Sequence, residues 1–400
     1  MKKATSAVLV LGLTQVISWG ILYYAFGVMA PAIQADLRLA PAQLYGAFSW
    51  AVLVAGLASV PVGIAIDRLG GRRIMAAGSL VSGAGLLALA GSHGLAGYFT
   101  AWTIMGLGMA MTLYEAAFAT LNRSLREAAR KAISNVTLMG GLASTAFWPL
   151  TAWLLGRHDW RTVCIAFAVA LLAVCLPLHL LLEDGAAYAA PARHPDAPQH
   201  YSLRQALAQP VFWLLAGVFA AHAFVFSALS VHMVPLIGKL GHSGQLAVAL
   251  AALIGPMQVA GRLLERSLAG RATPQAVGVA TFAGLPAALL VLYLLGANAW
   301  AAILFCVLYG MTNGVLTILR GTLPQAVFGH THYGAIAGAL AAPSLAAKAG
   351  APLLLALVLE GGDYHGLLAA LFLLSLASFA LYVFAVRSHA RSRWRSWVSM

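Results

Sequence analysis

Apolar runs of about twenty residues, separated by short polar or charged breaks, recur from the start of the chain to about residue 387. A helix rises about 1.5 Å per residue, so about 20 such residues cross the hydrocarbon core of a bilayer. Twelve windows fit: 7-30, 45-66, 74-92, 96-120, 132-156, 161-182, 208-231, 244-265, 274-295, 299-321, 333-357 and 366-387. Lipid offers no partner to an unpaired backbone group, and the runs are too long for barrel strands, so the pattern predicts an all-α integral membrane protein of twelve transmembrane helices. Met1-Lys2-Lys3 and the run after it resemble a signal peptide, but that run continues past Trp19, Tyr23 and Tyr24 to about Met29 and reads as a retained first span.

The longest break, 184-207, carries His194, Asp196, Pro191, Pro195 and Pro198 and reads as a linker. It divides the chain into a six-helix bundle over 1-183 and a second over 208-400, the latter ending in a short basic tail with Trp394 and Trp397. The halves carry matching marks at offsets near 200. Met29-x-Pro31 and Gln43-Leu44 return as Met233-x-Pro235 and Gln245-Leu246, and Pro149-Leu150 returns as Pro352-Leu353, as in two pseudo-symmetric repeats.

Composition agrees with the pattern: 61% of residues are hydrophobic and 9% charged, against about 25% charged in soluble domains. Charge adds orientation. The balance of 24 Lys+Arg to 11 Asp+Glu gives +13, which in a soluble chain would suggest nucleic-acid binding. Here the basic residues punctuate the ends of apolar runs and form no basic aromatic surface, so nucleic acid is not an expected partner. With the N-terminus in the cytoplasm, nineteen fall inside and only Arg38, Arg157, Arg161 and Lys239 outside, which predicts both termini cytoplasmic. Cys164, Cys175 and Cys306 lie inside apolar runs and read as small core residues.

Between the second and third spans stands Gly63-Ile64-Ala65-Ile66-Asp67-Arg68-Leu69-Gly70-Gly71-Arg72-Arg73. A degraded copy, Gly261-x-x-x-Glu265-Arg266 followed by Gly270-Arg271, holds the corresponding place in the second half. The motif resembles the cytoplasmic signature of the major facilitator superfamily. Gly63 lets two helices approach closely. Asp67, near a helix end, can pair with arginines or accept from a neighbouring helix N-terminus, forming a gate, while Arg68, Arg72 and Arg73 also serve topology. The resemblance implies two bundles rocking in alternating access around a cavity lined by spans one, four, seven and ten. The run Ser18-Trp19-Gly20-Ile21-Leu22-Tyr23-Tyr24-Ala25-Phe26-Gly27 is similar to the monocarboxylate and oxalate-formate branch. The arginine that drug-proton antiporters usually carry early in span four is replaced here by Ala101-Trp102-Thr103, and the match to their span-five run at Gly140-Gly141 and Pro149 is partial.

Ionisable groups inside a span cost at least about 2.5 kcal/mol, so each is a candidate. Lys348, deep in span eleven, reads as a ligand for a carboxylate or oxyanion, with a structural ion pair as the alternative. Glu115 in span four reads as a proton-coupling carboxylate or as an acid paired with Arg123 or Arg126. His222 in span seven can titrate, donate to substrate or tie two helices. Arg262 and Arg320 close their spans as topology charges or an inner gate. Tyr23, Tyr24, Trp148 and Asn313 supply hydrogen-bonding surface beside Trp19.

An enzyme is the rival class. His179-x-x-x-x-Asp184 fits a short acyltransferase pattern and Gly241-His242-Ser243-Gly244 a nucleophile loop only superficially, and HExxH, GxSxG and GxxxxGK[ST] are absent from the sequence. The expectation is therefore a monomeric secondary transporter without cofactor or catalysis, in a bacterial-type inner membrane. It would carry a small organic or inorganic anion with a proton, or else expel amphipathic, drug-like compounds.

Overall fold

The computed structural model describes residues 2-183, 201-268, 271-360 and 364-398. Among these the chain is helical, without a β-strand. Eleven helices are long and apolar enough to cross a membrane. The 28-residue helix Tyr333–Glu360 stands where the remaining expected span falls. The eleven spans and the helix Tyr333–Glu360 overlap the twelve windows read from hydropathy; the first and tenth run longer, over Ala4–Leu37 and Ala299–Phe328, while the seventh is shorter at Pro210–Leu229. Residues 184-200 of the linker lie outside the described residues; its end carries a short helix, Leu203–Leu207.

Local chemistry sets the ends. Proline opens the helices beginning at Pro41, Pro210 and Pro274, where its missing N–H and fixed φ cost nothing. Asp159 caps the sixth span by accepting from the Thr162 N–H at 2.9 Å, and that bond holds its carboxyl below the ordinary carboxylate value.

Two compact units emerge: residues 1-202 with 327-342, and residues 203-326 with 343-400. Spans one to six build the first, together with the opening of the helix Tyr333–Glu360. Its core packs Phe26 on Phe48 at 4.8 Å and sets Trp102 edge-on to both. At one edge Arg161 joins three elements, pairing with Asp36 at 2.9 Å and donating to the carbonyls of Ala90 and Ser92. Arg161→Ala should therefore lower the melting temperature in detergent by about 2–4 °C without loss of transport; an unchanged melting curve would show the clamp to be idle. In the second unit Phe305 and Tyr309 stack at 5.5 Å inside a core shared by Leu229, Leu289, Cys306 and Leu368.

Four spans leave the regular α-helix among the described residues: the fifth at a turn at Gly141-Leu142, the sixth at the π-helical turn Leu171–Cys175, and the first and fourth as follows. In the first, Gly20–Tyr24 forms a π-helical turn closed by the Ala25 N–H on the Gly20 carbonyl, and Phe147 of span five fills the space beside Gly20. In the fourth, the uninterrupted apolar run predicts one helix, but Leu113 adopts an extended ψ of -167° and splits it into Leu95–Thr112 and Tyr114–Leu125. That torsion takes the helical bonds spanning Leu113 out of register, and the Gln15 side chain replaces one by donating to the Thr112 carbonyl at 2.6 Å.

Candidate functional site

Asp67 ends the second span half-buried, where an isolated carboxylate would be costly. It accepts the backbone N–H of Gly334 at 2.9 Å and of Ala335 at 2.8 Å, both in the first turn of the helix Tyr333–Glu360. The acid thus caps a helix N-terminus, where two donors and the positive end of the helix dipole favour its charge. Arg123, closing span four, donates to the Asp67 carbonyl and fixes the same corner from a third element.

Small residues make this reach possible. A Cβ on Gly63 would overlap the Gly334 carbonyl, and one on Gly338 would overlap the carbonyl of Ser59. The Ser59 hydroxyl bridges to the Gly338 carbonyl at 2.7 Å. Ser59, Gly63 and Asp67 recur every fourth residue along one helix face, against Gly338, Gly334 and the helix start on the other. All of these residues belong to the first unit.

The other motif residues divide by environment. Arg68, Arg72 and Arg73 are exposed, and Gly71 opens the third span against Thr120. In the degraded copy Gly261 packs on the Met311 backbone, Arg262 and Glu265 are buried, and Arg266 and Arg271 are exposed. Gly270 lies outside the described residues.

Within the second unit Lys348 is half-buried, and its carbonyl accepts the Ser227 hydroxyl at 2.8 Å, which fixes its helix on the seventh span. His222 lies five residues before Ser227, is 2% exposed and meets the Phe282 ring edge-on at 5.8 Å; its Nδ1 has no hydrogen-bond partner. His222 thus faces the ninth span, whose Phe282 in turn packs on Tyr382 of the last span, with Arg320 near enough to act on His222 electrostatically. Asn313 is half-buried, its carbonyl accepting Thr317 Oγ1 at 3.1 Å.

Within the first unit Glu115 is half-buried in the opening turn after the Leu113 break. The preceding Tyr114 lies 5.1 Å from Trp19, which meets Tyr23 at 5.3 Å. Tyr24 meets Trp148 at 6.0 Å, and the Trp148 indole N–H donates to the Tyr24 carbonyl. The rings named from sequence therefore form one group. His179 is fully buried, with Ser79 Oγ 2.8 Å from its Nδ1, and ties spans three and six together; Asp184, the other end of the acyltransferase-like pattern, lies outside the described residues.

The profile of the Major Facilitator Superfamily matches residues 11–342. The chain belongs to that superfamily. It is accordingly a multi-pass membrane transporter, of a family whose members move solutes and do not catalyse reactions. At 27% identity it resembles a 38 kDa protein encoded in a 23S RNA operon of Thermoproteus tenax, across 76% of both chains. It is 25% identical to monocarboxylate transporter 13 of Rattus norvegicus, across 67% of this chain and 62% of that one. Its fold matches the human organic anion transporter MFSD10 at a TM-score of 0.69 and 17% identity, covering 95% of this chain and 98% of the other. It matches the Escherichia coli fucose:proton symporter FucP at 0.71 and 12% identity, covering 97% and 99%.

Sequence reasoning missed Gln15, Ser59, Arg123 as a partner of Asp67, and the Gly334/Gly338 pair. The glycine pair had a readable signal in its four-residue spacing, and Gln15 in being an amide inside an apolar run.

Proposed function

We propose that this transporter carries a small anion by alternating access, coupled to protons, as a monomer in a bacterial-type cytoplasmic membrane with both termini inside. The observation that carries the anion reading is Lys348: an ammonium deep in a membrane helix whose backbone is pinned to the seventh span. A charged side chain inside a membrane helix is expensive and marks a substrate or ion path. His222 and Arg320 add positive or polar character to the same unit. The likeness to a protein named a monocarboxylate transporter and to one named an organic anion transporter supports the same class.

The Asp67 contact supplies the conformational element. Hydrogen bonds to a charged group are worth about 1.5–3 kcal/mol each, so its loss or formation shifts a two-state equilibrium by one or more powers of ten. This contact, made within the first unit, is assigned to one state of the cycle, with the corner loosened in the other.

Glu115 is the proposed proton carrier, and the fucose:proton symporter is a fold neighbour that couples to protons. Glu115→Gln should leave solute exchange intact and abolish accumulation driven by a pH gradient in proteoliposomes. If the variant accumulates solute as the parent does, Glu115 is not the coupling group. A second reading, efflux of amphipathic compounds, is favoured by the ring group beside Glu115; transport of cationic dyes in place of carboxylates would establish it.

A further inference from the structure

Six aromatic side chains from spans one, two, four and five meet in the first unit: Trp19, Tyr23, Tyr24, Phe48, Tyr114 and Trp148. Their centroids lie 5.1 to 6.2 Å apart, in the tilted and edge-on arrangements that ring quadrupoles favour. Two of the departures from α-helical geometry described above, those in spans one and four, end at this group. The π-helical turn contains Tyr23 and Tyr24, and the Leu113 break directly precedes Tyr114. Irregular turns sacrifice regular backbone bonding and recur at functional sites, so two of them meeting at one ring cluster mark it as more than filling. Trp148 is 52% exposed in mid-span, yet its indole N–H is fixed on the Tyr24 carbonyl, which presents the ring in a set orientation.

The chemistry of the group is specific. The six side chains carry no positive charge, and the carboxylate of Glu115 follows Tyr114 in the chain, so the group offers no ion pair to the charged end of an anion. What it offers is ring faces, ring edges and hydroxyls, which reward a flat unsaturated body over a puckered aliphatic one of equal size. We propose that these rings form the subsite for the planar, unsaturated part of an organic anion, so that the substrate class is aryl carboxylates and not inorganic oxyanions. This rests on the anion reading above and narrows it.

The test compares benzoate with cyclohexanecarboxylate, which match in charge and carbon count and differ in planarity, and adds inorganic phosphate. Each is measured for inhibition of counterflow by the full-length protein in proteoliposomes. Benzoate should inhibit about threefold to tenfold more strongly than the saturated acid, and phosphate should be ineffective. Tyr24→Leu and Trp148→Leu should erase the difference between the two acids, and Tyr24→Phe, which keeps the ring, should retain it. Equal inhibition by the two acids, or a preference that survives both leucine variants, overturns the subsite. Inhibition by phosphate alone overturns it while leaving anion transport standing; inhibition by no anion removes both.

Discussion

Gly63→Val should reduce transport to a few per cent of the parent rate while the protein still inserts and purifies. The added Cβ would overlap the Gly334 carbonyl, so the second span and the helix Tyr333–Glu360 must move apart. Asp67 then loses the reach that gives it bonds of 2.9 and 2.8 Å to Gly334 and Ala335. Overpacking of this kind costs roughly 1–3 kcal/mol, and the lost charge-assisted bonds add a comparable amount, so the closed contact should become at least about a hundredfold less populated. Asp67→Asn, which keeps the shape but loses the charge, should cost less, about tenfold. Gly46→Val is the control, because a Cβ there meets nothing within 4 Å. Equal uptake by the Gly63 and Gly46 variants would show that the close crossing is not part of the transport cycle.

Lys348→Gln should lower uptake of a carboxylate substrate by a factor of about 30 or more while the protein still inserts. Removing one member of a desolvated charge pair costs about 2–5 kcal/mol, much of it from stranding the substrate's own charge. Lys348→Arg should recover part of the activity, since the charge returns with a different donor geometry. Competition measured by counterflow reads the effect directly. Unchanged uptake by the glutamine variant would remove the argument for an anion.

Much of the fold was legible because hydropathy acts over twenty residues at a time and tolerates local error. The structure accordingly places helices at every expected span, and the charge motif pointed to Asp67. What hydropathy could not show is which distant helix end Asp67 caps. Two hydrogen bonds across more than 260 residues leave no trace in local spacing, and only the pair Gly334 and Gly338 hinted at a close crossing. The π-helical turn at Gly20–Tyr24 adds a single residue to one turn, and the Leu113 break replaces one residue's torsion; neither changes apolar content. His222 was readable as a buried polar group, but its facing towards Phe282 depends on helix rotation, which a span hydrophobic on all sides does not encode.

Solute movement powered by a gradient is the central expectation for this protein. The direct measurement is uptake of radiolabelled benzoate into proteoliposomes containing the purified chain, with and without an imposed inward proton gradient. Accumulation above the external concentration that collapses on adding a protonophore is the predicted result. Uptake no faster than in protein-free liposomes, or a level indifferent to the gradient, would contradict it.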